Sequence, residues 1–432
     1  MASASESDTN GELRRRAGRA LRALRDGRAL RTSRRLDDVR RRLHVAPKRN
    51  VFACIVLLAS LLTVVTAVQP VQAVEQVVLK KSTKAKTLTG RVMAEAEDGG
   101  ILLQTPDGVM WPLQPDEYAN RVKDDTPFKP LTREELASRI QAELPSGFKV
   151  HSTANYVICY NTSTAYAQWC GTLYERLFRG FRNYWENRGF DLKDPEFPLV
   201  ALVFDRRESY LRYVREELGD SAESIVGFYS PVSNRVNMYD LTGIEGLKLP
   251  SERINSTALV NQILQQPAAA PTVATIVHEA THQLAYNCGL QRRLADNPVW
   301  VSEGLAVYFE TPDLKNSKGW SNIGSVNRGR LLQFRKYQTQ RPPNSLETLL
   351  KDDKRFRDAS TALDAYAEAW ALNYFLLRTH SKEYVSYLKQ LAAKTPAVYD
   401  TPEERLTQFQ SIFGGDLQKL DQEFVRYMRK VD

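Results

Sequence analysis

TIVHEATHQLAYNCG, residues 275–289, holds two of the five histidines in the chain. Pro271 suits the first turn of a helix, where its missing N–H costs nothing. No breaker follows until Asn287 and Gly289, which close the segment. One helix therefore carries His278 and His282 at i and i+4, on one face, with Cβ atoms about 5–6 Å apart. Two imidazoles so placed can each reach one metal ion at about 2.0–2.1 Å. Glu279 leaves the helix about 100° further round, beside such an ion and within reach of its water.

Working outward, NPVWVSEGLAVYFE (297–310) reads as a second helix, with Asn297 expected to cap it and Pro298 to start it. Glu303 falls in its interior among Val299, Trp300, Ala306 and Val307. A carboxylate in such surroundings is costly to bury unless something pairs with it. Metal ligation would do so, making Glu303 the expected third ligand, with one coordination position left open for catalysis. Further on, ALDAYAEAWALNYFLL (362–377) gives a helix with an apolar stripe of Leu363, Ala367, Trp370, Ala371 and Tyr374, expected to pack against the histidine helix. It carries Tyr366, the candidate donor to a reacting carbonyl oxygen. Arg328 in GSVNRGRLL and His151 are its rivals.

Upstream the pattern is mixed. Thr132 and Glu135 form a capping box before a helix. NYVICY reads as a strand, YAQWCGTLYERLFRGFRNYWENRGF as an amphipathic helix, PLVALVFD as a buried strand and ESYLRYVREEL as a helix. IVGFYSPVSNRVNMYDL reads as two strands joined at Ser-Pro. Within it, Gly227, Phe228 and Tyr229 are the expected edge strand along which an extended substrate pairs. From about residue 258 helices dominate. Strands first and helices after, without a βαβ rhythm, specify an α+β fold for residues 131–432.

HEATH followed by WVSEGLAVYFE resembles the gluzincin metallopeptidases, the branch containing thermolysin and aminopeptidase N. The run from the 150s to the 370s is similar to a bacterial family of unknown function grouped with the peptidase MA-like zincins. The resemblance implies a zincin-like catalytic domain, Zn2+ as cofactor, His278, His282 and Glu303 as its ligands and Glu279 as general base. A peptide or protein would be the substrate. Two departures stand out: the GxMEN exopeptidase signature is absent, and Val307 occupies the place of the aspartate found four residues after the glutamate ligand in thermolysin. What holds each imidazole from behind is left open. A non-catalytic zincin-fold scaffold, or a zinc hydrolase of another amide or ester, is the alternative.

The net charge of +9 lies entirely in residues 1–50, which hold 15 of the 60 Lys and Arg and 6 of the 51 Asp and Glu, leaving 45 of each sign elsewhere. A phosphate-tracking face needs that charge on the folded part, so no nucleic-acid partner is expected. VFACIVLLASLLTVVTAV (51–68) is an uncharged run of 18 residues, near the lower limit for spanning a bilayer. With Lys48 and Arg49 before it, the positive-inside rule keeps 1–50 in the cytoplasm and exports the rest. The run is either an uncleaved anchor, which the length of the leader favours, or a signal segment cut near Val71-Gln72-Ala73. Both place the body in the cell envelope.

Residues 75–86 read as a polar linker, and the following stretch to about 125 as a small β module with turns at Asp98-Gly99 and Asp107-Gly108. Cys159, Cys170 and Cys288 allow at most one internal disulfide, and a free buried thiol is expected for at least one of them.

Overall fold

The computed structural model describes residues 73–80, 86–244, 246–247, 254–311, 314, 320 and 322–432. The basic segment 1–50 and the apolar run 51–68 lie outside the described residues, as do the roles expected of them. No helix among the described residues is long and apolar enough to cross a membrane. The fold is α+β, with two sheets, a small N-terminal β region and a helical C-terminal half. Its described residues divide into two compact units, one holding Pro130–Asp432 with Asp107–Trp111, the other Pro112–Lys129 with the described residues from Ala73 to Pro106.

The first sheet is built on β1 (Ala73–Leu79), β2 (Lys86–Glu95), β3 (Ile101–Gln104), β4 (Met110–Leu113) and β5 (Tyr118–Pro127), in the order β4-β3-β2-β1-β5. Asp98-Gly99 and Asp107-Gly108 fall between β2 and β3 and between β3 and β4, as the sequence predicts. Much of the stretch read as a linker is instead β1, which pairs antiparallel with both β2 and β5. The reason is local: Val74, Val77 and Leu79 are buried, Gln76 is exposed, and Glu75 is paired with Arg121. The charged KKSTKAKT that follows hides this apolar spacing at a first reading.

The larger unit opens with α1 (Arg133–Glu143), whose Thr132–Glu135 capping box is present. Then come β6 (Lys149–Ser152), β7 (Tyr156–Tyr160), α2 (Thr164–Glu186), β8 (Leu199–Phe204), α3 (Arg207–Leu218) and the hairpin of β9 (Gly227–Ser230) and β10 (Arg235–Tyr239). The sheet order is β6-β7-β8-β10-β9, with β7, β8 and β10 parallel and both outer strands antiparallel to their neighbours. Helices cover both faces, so YVICY and LVALVF are apolar at every position rather than alternating. Tyr156, Ile158, Leu199, Ala201 and Val203 pack with α2 on one side. Val157, Cys159, Val200, Leu202 and Phe204 pack with α1 and α3 on the other. Each large apolar side chain buried this way contributes about 1.5–3 kcal/mol, so the sheet is a rigid platform, with β9 at one edge and its four residues buried.

The helical half runs α4 (Thr257–Leu264), α5 (Ala270–Asn287), α6 (Val299–Phe309), α7 (Arg328–Gln338), α8 (Ser345–Lys351), α9 (Lys354–Arg357), α10 (Ala362–Thr379), α11 (Ser381–Ala392), α12 (Pro402–Phe413) and α13 (Leu417–Met428). The stripe on α10 holds at Ala367, Trp370, Ala371 and Tyr374, but Leu363 is 58% exposed at the helix start. The main partner of that stripe is α6, the helix of Glu303, rather than α5. Gly304 makes the approach possible. A Cβ at Gly304 would overlap Asn373 Nδ2 and stand 2.6 Å from the Ala369 carbonyl oxygen, and Asn373 is itself fixed by bonds from its Nδ2 to the Trp300 and Ala369 carbonyls and by one from the Tyr384 hydroxyl. Gly304→Ala is therefore expected to cost about 1–3 kcal/mol through overpacking, read as a lower urea midpoint at unchanged slope. An unchanged midpoint would show that the two helices separate freely.

Cys159, Cys170 and Cys288 are free and buried. Burial pushes the Cys159 and Cys288 thiols up to about 12 and raises Cys170 as well, so all three are inert packing residues.

Candidate metal centre

Helix α5 has Pro271 in its first turn and ends at Asn287, with Cys288 as cap residue and Gly289 at φ +81°. Helix α6 starts where the sequence predicts but is capped differently. Asn297 turns its amide back to the Arg292 and Ala295 carbonyls, and the Val299 N–H is received at 3.0 Å by the carboxylate of Asp353, 54 residues later. Asp353 is in turn paired with Arg405. A tertiary carboxylate thus takes the place that the local sequence assigns to Asn297.

The two helices bring three side chains together. His278 Nε2 lies 3.1 Å from His282 Nε2 and 3.2 Å from Glu303 Oε2, and His282 Nε2 is 3.6 Å from Glu303 Oε1. A tetrahedral ion with arms of about 2.0–2.1 Å sets its ligand atoms roughly 3.3–3.4 Å apart, so these separations are those of three vertices around one ion. His278, His282 and Glu303 form the one such group among the described residues, and two imidazoles with one carboxylate suit zinc.

Behind His278 stands a residue that the sequence reading missed. Glu310 Oε2 is 3.0 Å from His278 Nδ1, and Glu310 Oε1 accepts from Asn327 Nδ2 at 2.8 Å. This carboxylate fixes the ring so that Nε2 faces Glu303. Its signal was available: Glu310 follows Glu303 by seven residues, two helical turns on the same face, while the four-residue position is the buried Val307.

Burial alone would lower the His278 pKa, but hydrogen bonds to Glu303 and Glu310 outweigh it and raise it well above the ordinary histidine value. Burial alone would raise Glu303, yet His282 and His278 hold its carboxyl below the usual range. A cation at this point would take the place of the shared proton.

Glu279 lies beside the triad, its pKa raised by burial against the pull of both histidines. Its Oε2 accepts the backbone N–H of Tyr229 at 2.7 Å. That bond orients the carboxylate, and it commits the Tyr229 amide of the expected edge strand to Glu279. Alternate residues of an antiparallel edge turn their polar groups outward, so Gly227 shares this outward side with Tyr229, while the Phe228 side chain packs across the sheet towards α1 and α3.

A cavity of about 600 Å³ opens over the triad, walled by β9, α5 and α6 and by Arg330 and Tyr366. It adjoins a second chamber of about 540 Å³, with Tyr286, Glu303 and Tyr366 lining both. Tyr366 stands against Phe356, ring centroids 5.3 Å apart, and beneath the Arg330 guanidinium at 5.6 Å. The two rivals fall elsewhere. Arg328 is exposed at the start of α7 and does not line the cavity; Arg330, two residues on, does. His151 sits on β6, at the opposite edge of the sheet from β9, where its pKa is lowered by burial. Tyr286, on the histidine face one turn beyond His282, is a second residue that the sequence reading passed over. It stacks on Tyr229 with centroids 5.7 Å apart, and burial pushes its hydroxyl up to about 12.

Residues 272–398 match a family described as "Protein of unknown function (DUF1570)". The match takes in α5, α6 and α10, hence His278, Glu279, His282, Glu303, Glu310 and Tyr366, and leaves β9 outside. No curated protein matches the chain.

Proposed function

We propose that the larger unit is a zinc-dependent peptidase that hydrolyses peptide bonds with Glu279 as general base. The convergence of His278, His282 and Glu303 from two helices, with Glu279 at their side, carries this reading. Zinc bound there would polarise a substrate carbonyl and lower the pKa of its water toward about 7. Glu279 is placed to accept a proton from attacking water and to return it to the leaving amine. The Tyr229 N–H keeps that carboxylate turned to the cavity. Tyr366 and Tyr286 border the same space and are the candidate hydroxyl donors to the developing charge on the carbonyl oxygen. The outward side of β9 offers backbone groups to an extended peptide. If residues 51–68 act as an anchor or export signal, the reaction takes place in the cell envelope, on peptide or protein substrates.

The test is metal analysis joined to activity profiling on the purified full chain. One zinc per chain is expected, with cleavage of members of a diverse peptide library that stops on chelation and returns with zinc. Protein unable to take up zinc would overturn the reading. Zinc-replete protein that cleaves no peptide would shift it to a binding scaffold or a hydrolase of other amides and esters.

A further inference from the structure

We propose that Arg330 is a specificity residue that anchors a carboxylate group of the substrate next to the metal centre. The inference deepens the peptidase reading and rests on it. The cavity over the triad is lined by three carboxylates, Glu279, Glu303 and Glu310, and Arg330 is its one Lys or Arg among the described residues. Three arginines line the two chambers taken together: Arg330, Arg357 and Arg405. Arg357 lies 3.9 Å from Asp353, and Arg405 is held by Asp353 and Asp296. Arg330 has no carboxylate within ion-pair distance among the described residues; its contact is with the Tyr366 ring, 5.6 Å from the guanidinium carbon.

The nearest acid along the hydrogen-bond chain is engaged elsewhere. Glu310 spends one oxygen on His278 and the other on Asn327, and Asn327 Oδ1 receives the backbone N–H of Arg330 at 3.1 Å. That chain ties the base of the Arg330 side chain to the metal centre while leaving its guanidinium unneutralised. A guanidinium lying over an aromatic ring keeps the edge of its planar fork available, and that edge matches a carboxylate through two parallel hydrogen bonds. Without it, a substrate carboxylate entering this cavity would meet three acidic side chains. The carboxylate comes either from the C-terminus of a peptide, which would direct cleavage near chain ends, or from an Asp or Glu side chain, which would direct it within chains.

The experiment compares matched peptides on the zinc-loaded full chain: one with a free C-terminus against its amide, and one with an internal Glu against Gln. Arg330→Gln is expected to raise KM for the carboxylate-bearing member of one pair by about 10- to 100-fold, the loss of a charged hydrogen-bonded contact. The neutral member should change little, kcat should change less than KM, and Arg330→Lys should recover part of the effect. Arg328→Gln, outside the cavity, should leave both pairs alone. The pair that responds identifies the source of the carboxylate. Equal effects on charged and neutral peptides, or none, would overturn the proposal. Anisotropy of the same labelled peptides on the Glu279→Gln protein reads binding without turnover. If the wild-type chain cleaves nothing, the peptidase reading fails, while the ratio of acid to neutral affinity with and without Arg330 still decides this proposal.

Discussion

Glu279→Gln is expected to lower peptide hydrolysis by about 10²- to 10⁴-fold, the range for removing a positioned general base, while zinc stays at the wild-type stoichiometry. Glutamine has the shape of glutamate, and its carbonyl oxygen can still accept the Tyr229 N–H that the carboxylate receives at 2.7 Å. The substitution therefore leaves β9 and α5 joined and the cavity walls in place. None of the three converging side chains, His278, His282 and Glu303, is altered, because Glu279 is not one of that group. What the amide cannot do is take up and release a proton at neutral pH. Loss of activity with metal retained assigns the residue to chemistry; loss of both would assign it to holding the site together. Undiminished hydrolysis would remove Glu279 from the mechanism altogether.

The parts of this centre that could be read from the sequence are those set by distance along one helix. His278, Glu279 and His282 need only a continuous α5, and Pro271, Asn287 and Gly289 punctuate it. Glu303 was visible because a carboxylate among Val299, Trp300, Ala306 and Val307 demands a partner. The strands β7 and β8 were legible because burial on both faces makes them uniformly apolar. At the start of α6 the reading failed because a distant residue intervened. Asn297 lost the cap of α6 to Asp353, which arrives from the far side of α7 and α8. Choosing between Arg328 and Arg330 depends on which side of α7 faces the cavity, and the short, weakly amphipathic RGRLLQFRKYQ does not declare it. His151 was a candidate by residue type alone, and the sheet order carries it to the opposite edge. The strand β1 was passed over because its apolar positions are interrupted by Glu75 and Gln76 and followed by lysines.

Glu310 offers the sharpest separation between a ligand and the group that holds a ligand. Glu310→Ala is expected to weaken zinc binding by about 10- to 100-fold, the usual cost of removing the partner of a metal-bound histidine, measured by competition against a chromophoric chelator. The cause is geometric. With Glu310 gone, His278 Nδ1 loses its 3.0 Å partner, the ring can rotate away from Glu303, and Asn327 loses the acceptor that now receives its amide at 2.8 Å. Glu310→Gln should fall between, because its carbonyl oxygen can still accept one of those two hydrogens while the negative charge is lost. Global stability should move less than metal affinity, since Glu310 sits at the end of α6 rather than in its packed interior. Equal zinc affinity in all three proteins would mean that His278 is held by packing alone, and the carboxylate behind it would then have no part in the centre.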